Sequence, residues 1–441
     1  MKQQKRVLII SYYWPPSGGA GVQRWLKFAK YLPQFGYTPV VYTPSNPHYP
    51  MLDETLAEDI PSEVEIVKHP IWEPYSFYKK WMGMKKGERV QHGFIAEKGQ
   101  SAWKQKLSTW VRGNFFIPDA RKFWVGPSIK FLDNYLKNNP VDAVVSTGPP
   151  HSMHLIGLGV KAKTDLPWLA DFRDPWTEID FYEQLMLTKW ADATHRRLEA
   201  KVLKSADKVV TIGWHGGKRL ELLGAENVDI ITNGFDEDDV PQTIDYEANE
   251  HFELMHIGSL NKDRNPHDLW AALKVLVREN AALAKKLRIT LIGKLDSQVL
   301  QSVEEHGLAE YLNKIPYLPH AEIFPKLQSA SVLVLALNDV PSIEGIVTGK
   351  IFEYLAARRP IICIGSSTGD AAKIVAGAEA GQSVNFGEQE KLKKVVSGYF
   401  EKYLSDGLQF DSGKIQQYSR KSLTADLVSH LDGLVDQVAE K

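Results

Sequence analysis

Short runs of Val, Ile and Leu, each followed by a segment of helical spacing, recur along the whole of this chain. In the first half, Val7–Ile10, Pro39–Tyr42, Ala143–Ser146, Trp168–Ala170 and Lys208–Ile212 read as strands buried on both faces. Between them Gly21–Tyr31, Ser152–Ala162 and Tyr182–Leu203 read as helices. The second half repeats the pattern, with strands at Phe252–His256, Arg288–Ile292, Ser331–Leu337 and Pro360–Ile364 and helices at Asp268–Arg278 and Gly349–Ala357. Such alternation folds into parallel sheets covered on both faces, an α/β architecture. At 441 residues the chain is too long for one ordinary core, so two doubly wound domains are predicted. The acidic stretch from Asp236 to Glu250 is the expected seam. It separates a domain over 1–240 from one over 251–410, and 411–441 reads as a polar linker with an amphipathic helix.

Charge and cysteine content narrow the class. The formal net charge of -1 gives no case for nucleic-acid binding. The one cysteine, Cys363, rules out an internal disulfide framework and fits a reducing compartment. Lying in Ile361-Ile362-Cys363-Ile364, it is expected to be a buried small hydrophobe rather than a nucleophile. Lys2 to Arg6 followed by Val7–Ile10 imitates the start of a signal peptide. The run is short, however, and breaks at Pro15-Pro16 without a small-residue cleavage site, as a buried first strand would. No stretch approaches the roughly 20 apolar residues of a membrane span. A cytoplasmic protein is expected.

One region departs from the alternation. From Lys79 to Lys130, twelve Lys/Arg stand against three Asp/Glu, interleaved with Trp81, Trp103, Trp110, Phe115, Phe116, Phe123 and Trp124. Two readings have equal weight. One is attachment to an anionic membrane, the inner face of the plasma membrane, or to a phosphate-bearing lipid acceptor. The other is an inserted helical pair whose aromatics pack on the first domain and whose lysines are solvated.

The loops that follow the strands carry the candidate chemistry. The first strand ends in Trp14-Pro15-Pro16-Ser17-Gly18-Gly19-Ala20-Gly21 and a helix begins. Gly18 and Gly19 let backbone approach a ligand closely at a helix N-terminus. This is not the dinucleotide fingerprint, because Gly-x-Gly-x-x-Gly is absent and the second strand ends at Tyr42-Thr43-Pro44 without an acid. Ser146 to Ser152, containing His151, and Asp171-Phe172-Arg173-Asp174-Pro175-Trp176 follow the next two strands. Polar groups at the carboxyl ends of adjacent parallel strands converge. The Asp171–Arg173–Asp174 cluster fits either a site or a buried salt-bridge network.

In the second half, His256 to Arg264 forms a small-residue turn at Gly258-Ser259 with two cations nearby, Lys262 and Arg264, that suits phosphate. The strongest signal is Glu344 to Leu355. Thr348 is a candidate N-cap, with Gly349 and Lys350 opening the helix. A cation in the first turn opposes the helix dipole unless an anion offsets it. Glu353, one turn on, shares a side with Lys350. The arrangement suits a diphosphate beside Lys350 and ribose hydroxyls on Glu353.

Taken in order, these loops resemble the family-4 type of retaining glycosyltransferases with the GT-B fold. The segments are Pro15 to Gly19, Ile117-Pro118-Asp119 with Trp124, Ser146 to His151, Asp171 to Trp176, Asn233-Gly234-Phe235-Asp236, and Thr348 to Pro360. The resemblance covers nearly the whole chain and is strongest to the bacterial group that builds O-antigen, capsule and other cell-surface polysaccharide. It implies two Rossmann-like domains facing a central cleft, with the first on the acceptor side and the second binding a nucleotide-sugar. It implies transfer of a sugar from a nucleoside-diphosphate donor to a glycan or lipid-linked acceptor, with retention of configuration. In family terms Gly18 and Gly19 near the donor phosphates, His151 nears the donor sugar, Glu353 binds ribose, and Glu344 is the first acid of a Glu-x7-Glu motif. Asp174 is carried as a further catalytic candidate.

Two positions depart from the family pattern. Eight residues separate Glu344 from Glu353 rather than seven, and Ser259 and Arg264 stand where the family usually has Arg and Lys. Lys350 is expected to replace the missing cation. No metal or other cofactor is expected, since no Asp-x-Asp occupies a strand-end loop; Arg264, Lys350 and helix dipoles would offset the diphosphate. Two alternatives remain on the same architecture: a non-hydride sugar-nucleotide epimerase, and a non-catalytic nucleotide- or carbohydrate-binding subunit.

Overall fold

The computed structural model describes residues 4–74, 102–240, 250–316, 318–406, 408 and 413–439. The expected seam at Asp236 to Glu250 and the first part of the basic aromatic segment, through residue 101, lie partly or wholly outside these. The chain divides into two compact units, residues 1–232 with 423–441, and residues 233–422.

The first unit runs β1 (Lys5–Ile10), α1 (Ala20–Tyr31), β2 (Tyr37–Pro44), β3 (Glu65–His69), α2 (Ala102–Phe115), α3 (Lys122–Asn138) and β4 (Ala143–Gly148). It continues through α4 (Ser152–Thr164), β5 (Trp168–Phe172), α5 (Lys189–Ser205), β6 (Lys208–Thr211), α6 (Trp214–Leu222) and β7 (Val228–Ile230). Its strands form one parallel sheet in the order β3-β2-β1-β4-β5-β6-β7. β1 and β4 are apolar without alternation because helices cover both faces: Leu8 and Val144 belong to one core cluster, Ile9 and Val145 to the other. One expected helix is shorter than its pattern. Over Tyr182–Leu203 the chain makes a short turn at Glu183–Leu185, and Met186 has φ 52°. The helix begins only at Lys189, where the Thr188 side chain accepts from Ala191 N–H. Asn114 of α2 holds the Thr188 N–H, so a contact distant in sequence sets this start.

The second unit runs β8 (Phe252–Ile257), α7 (His267–Glu279), α8 (Ala281–Lys286), β9 (Leu287–Ile292), α9 (Ser297–Glu305), β10 (Leu312–Ile315) and α10 (His320–Ser329). Then come β11 (Val332–Ala336), α11 (Lys350–Ala356), β12 (Ile361–Gly365), α12 (Asp370–Gly377), β13 (Gly381–Asn385), α13 (Gln389–Asp406) and α14 (Arg420–Ala439). The sheet is again parallel, in the order β10-β9-β8-β11-β12-β13. Cys363 lies fully buried on β12, with its thiol pushed up to about 12 by desolvation, so it is an unreactive core group. From Leu423 onward α14 belongs to the first unit. Leu423, Leu427, Leu431 and Leu434 complete a core with Val7, Ile9 and Trp25, while Asp432 accepts from Lys5 and Tyr37.

Candidate functional site

In the first unit, loops leave the carboxyl ends of β1, β4 and β5, which are neighbours in the sheet. The strand order reverses between β1 and β4, where doubly wound sheets bind ligands. Gly19 has φ 89°, a left-handed conformation that favours glycine, and stands at the N-cap of α1. Gly18 serves differently from expectation. Its N–H donates to Met51 at 3.0 Å and Ser17 bridges Leu52, so this glycine braces the loop against a neighbouring segment. Gly19 N–H keeps no partner among the described residues.

The Asp171–Arg173–Asp174 cluster divides into three separate roles. Asp171 is fully buried and accepts from Arg24 Nη2 (3.0 Å), Trp25 Nε1 (2.6 Å) and Thr147 Oγ1 (2.9 Å). It is the structural salt bridge, with a partner on α1 that sequence reading did not identify. Arg173 ties the loops together: it donates to Pro149 O at 2.6 Å, to Gly148 O at 3.4 Å and to Gly21 O. Asp174 is exposed and makes no hydrogen bond among the described residues.

His151 lies at the start of α4, and its surroundings fix it closely. Its ring stacks on Trp176 at 4.9 Å and 8°. The Trp176 indole N–H donates to His195 Nδ1 at 3.0 Å, so His195 carries its proton on Nε2. His151 Nδ1 is buried without a partner and packs over Gly148, where an added Cβ would stand 3.0 Å from it. Burial first, then the neighbouring His154, hold His151 well below the ordinary histidine range, so it is a neutral imidazole. His154 is pushed down to about 3, mainly by burial, and its Nδ1 is 2.9 Å from Ser146 Oγ. The Ile117-Pro118-Asp119 segment works from below: Asp119 accepts from the N–H and hydroxyl of Ser152, both at 2.9 Å, and so caps α4.

In the second unit the order reverses between β8 and β11, and the loops after both strands are joined by Asp339 N–H to Asp263 O at 2.7 Å. Gly258 follows β8 with φ 112°, and Gly293 follows β9 with φ 115°. A Cβ on Gly293 would lie 2.9 Å from Gly258 O, and one on Gly258 would collide with the Lys350 side chain. Lys350 therefore lies directly over the Gly258 backbone. Desolvation, then the Arg264 guanidinium, push its ammonium down to about 8, with Glu353 opposing. Arg264 is lowered by burial, and its Nε is buried without a partner. Neither cation forms an ion pair among the described residues. Glu353 is half-buried on the same helix, and its carboxylate is likewise without a hydrogen-bond partner there.

Three details correct or extend the expected picture. Gly349, not Thr348, stands at the N-cap of α11, and no side chain caps it; Thr348 Oγ1 is buried without a partner. The reason is local: Gly349 already has helical φ/ψ and the Ile351 N–H is taken by the Thr348 carbonyl, so the backbone satisfies this donor and the Thr348 hydroxyl caps nothing. Glu344 turns towards the loop after β12, accepting from Ser366 at 2.6 Å and Thr368 at 3.2 Å. Ser259 is exposed beside Gly258. Sequence reading missed Gly293, and it missed Tyr354, whose hydroxyl takes the Ile257 N–H at 3.0 Å and so fixes α11 against the end of β8. A glycine directly after each of two adjacent buried strands was the signal that marks Gly293.

No protein-family model matches this chain, and neither does any curated protein. Among solved structures it is similar to sucrose-phosphate synthase from Thermosynechococcus elongatus, with 13% identity, TM-score 0.56, and coverage of 98% of this chain and 100% of that one. HepE of Anabaena, solved with UDP and glucose, matches at 13% identity and TM-score 0.51, over 99% of this chain and 98% of that one. A putative UDP-N-acetylglucosamine 2-epimerase from Listeria monocytogenes matches at 11% identity and TM-score 0.51, over 98% and 97%. Likeness at these identities establishes the fold: two parallel α/β units of the GT-B kind.

Proposed function

We propose that this chain is a glycosyltransferase that moves a sugar from a nucleoside-diphosphate donor to a glycan or lipid-linked acceptor, with retention of configuration, in cell-surface polysaccharide synthesis. One observation carries the reading. Lys350 and Arg264 form no ion pair among the described residues, the lysine pressed onto a glycine backbone at the end of β8, and the Glu353 carboxylate on the same helix makes no hydrogen bond there and offsets only part of the lysine's charge cost. Two neighbouring cations held at a desolvation cost call for a dianion, and a nearby free carboxylate suits a pair of ring hydroxyls. A nucleoside diphosphate offers both groups in one molecule.

In this reading Lys350 and Arg264 take the diphosphate, with Ser259, Thr348 and Gly349 around it, and Glu353 holds the ribose. Ser366 and Thr368 orient Glu344 as the sugar contact. The two cations supply the charge that stabilises the departing diphosphate, in place of a metal ion. On the first unit, the family resemblance implies that His151, a neutral imidazole, serves the donor sugar and Gly19 the donor phosphates, and Asp174 is kept as a further catalytic candidate. Retention rests on the family resemblance, as does the assistance of the donor's own phosphate in deprotonating the acceptor. A cytoplasmic location belongs to the same reading.

The likeness to HepE, whose structure holds UDP and glucose, supports a nucleotide-sugar ligand. The likeness to a putative epimerase favours one second reading, acceptor-independent isomerisation of the donor. Calorimetry tests the donor site: Glu353→Ala is expected to weaken nucleoside-diphosphate binding by about 1.5–3 kcal/mol, and unchanged affinity would refute the placement of ribose. Incubation with nucleotide-sugar alone separates the two enzymes, because isomerisation without acceptor would sink the transferase.

A further inference from the structure

Stability alone does not explain the buried stripe of α5. It reads Ala191, His195, Glu199, Val202 and Leu203, so two ionisable side chains stand where apolar ones would pack without a desolvation cost. One helical turn apart, both reach two consecutive residues of the loop after β5. His195 Nδ1 accepts from the Trp176 indole N–H at 3.0 Å, and the Glu199 carboxylate accepts from the Thr177 hydroxyl and, at 3.3 Å, from its N–H. None of these four residues is more than 4% exposed. Burial pushes the Glu199 carboxyl up and the His195 imidazole down, so both acceptors are held out of water. The His195 ring is itself fixed, since its Nε2–H donates to Gly113 O at 3.4 Å and Tyr182 meets it edge-on at 5.9 Å.

The two contacts hold the part of the loop that carries the first unit's candidate residues. Filling the core needs only the bulk of Trp176; a hydrogen bond to its indole N–H also fixes the plane of the ring. His151 lies parallel to that plane, at 4.9 Å and 8°. On the other side of Asp174, Arg173 is tied to Gly148 O, Pro149 O and Gly21 O. Asp174 therefore stands between two anchored points, exposed and without a hydrogen bond of its own among the described residues. Beyond Thr177, Glu178 takes Arg219 of α6, which continues the tether.

We infer that His195 and Glu199 are positioning residues, which set the plane of His151 through Trp176 and the place of Asp174 through Thr177. The inference rests on the assignment of His151 to the donor sugar, and two measurements on the full chain separate the clamp from that assignment. The first is NMR of ring-labelled histidine. Stacked on the indole, the His151 ring protons are expected upfield of those of an unstacked imidazole. His195→Phe and Glu199→Leu are expected to move them towards the unstacked position, whereas His195→Gln and Glu199→Gln keep them in place. Thr177→Val removes one donor at nearly unchanged volume and tests the same contact from the loop, which guards against loss of folding in the larger changes. His256, in the other unit, is expected to be unmoved throughout. The second measurement is acceptor-free hydrolysis of UDP-, GDP-, TDP- and ADP-glucose. In His195→Phe kcat is expected to fall roughly 10–100-fold at unchanged KM and nucleoside-diphosphate affinity, and His195→Gln is expected to restore it. Unmoved His151 resonances in His195→Phe and Thr177→Val would overturn the clamp, and moved resonances with unchanged kcat would overturn its part in the reaction. A wild-type protein that neither binds nor hydrolyses any of the four would contradict the nucleotide-sugar reading, and the resonances decide the clamp in either case.

Discussion

Replacing Lys350 with methionine is expected to stabilise the free protein while destroying its anion site. Holding this ammonium at about 8 instead of 10.5 corresponds to about 3 kcal/mol of unfavourable charge burial at neutral pH. The lysine is half-buried, and solvent screening lowers the realistic gain to about 1–2 kcal/mol. Met keeps the apolar stem over Gly258 and removes the charge. For a unit of roughly 190 residues, that gain raises the melting transition by about 3–6 °C. The pH dependence has a definite sign. Below about 8 the lysine is charged in both folded and unfolded states, and the folded state bears the whole cost. Between about 8 and 10.5 the folded lysine loses its proton while the unfolded one keeps it, so the wild-type protein gains stability as pH rises. The advantage of Lys350→Met should therefore be largest at pH 7 and shrink towards pH 10, as followed by calorimetric or fluorescence melting of the transition that nucleotide shifts. A variant less stable than wild type, or a difference independent of pH, would refute the view that Lys350 is a strained cation awaiting an anion.

Other substitutions probe separate links. Arg24→Met leaves the Asp171 carboxylate buried without its ion pair and is expected to cost about 3–5 kcal/mol by chemical denaturation, with loss of order in the loops after β1 and β4. Gly258→Ala is strained at φ 112° and displaces Lys350, so it is expected to cost about 1–3 kcal/mol and to abolish nucleotide-dependent thermal shifts. His195→Gln keeps an acceptor for the Trp176 indole N–H, whereas His195→Phe leaves that donor buried and unpaired at about 1–3 kcal/mol. Burial lowers the His195 pKa, so its share of stability is complete above about pH 6.5 and is lost as acid protonates Nδ1. Activity of the Gln variant should accordingly fall less steeply in acid than that of wild type.

The strands that sequence reading recovers are those buried on both faces, because unbroken Val/Ile/Leu runs such as Val7–Ile10 and Ser331–Leu337 suit little besides a strand covered by helices on either side. The strands it misses lie at or next to the sheet edges. β3 alternates half-buried and exposed residues, β7 has only three residues, and β13 reads Gly-Gln-Ser-Val-Asn; neighbouring strands, not local propensity, determine them. Within the candidate sites, Lys350 and Glu353 were legible because a cation in a first helical turn is locally unfavourable. The Arg24–Asp171 pair was not, since 147 positions separate its members and only the parallel order β1-β4-β5 brings α1 to the end of β5. The same holds for His195, which reaches His151 only through Trp176. Thr348 illustrates the opposite failure, a cap residue of the right type placed one position away from the turn that forms.

The central claim, that the second unit binds a nucleoside diphosphate on Lys350, is tested most directly by proton-linked calorimetry. UDP, GDP, TDP and ADP would each be titrated at pH 8 in buffers of differing ionisation enthalpy. A dianion on Lys350 restores the pKa of the ammonium, so the base that binds should bring an uptake of about half a proton, absent in Lys350→Met. Binding without proton uptake, or equal uptake by the variant, would contradict the assignment of the diphosphate to Lys350.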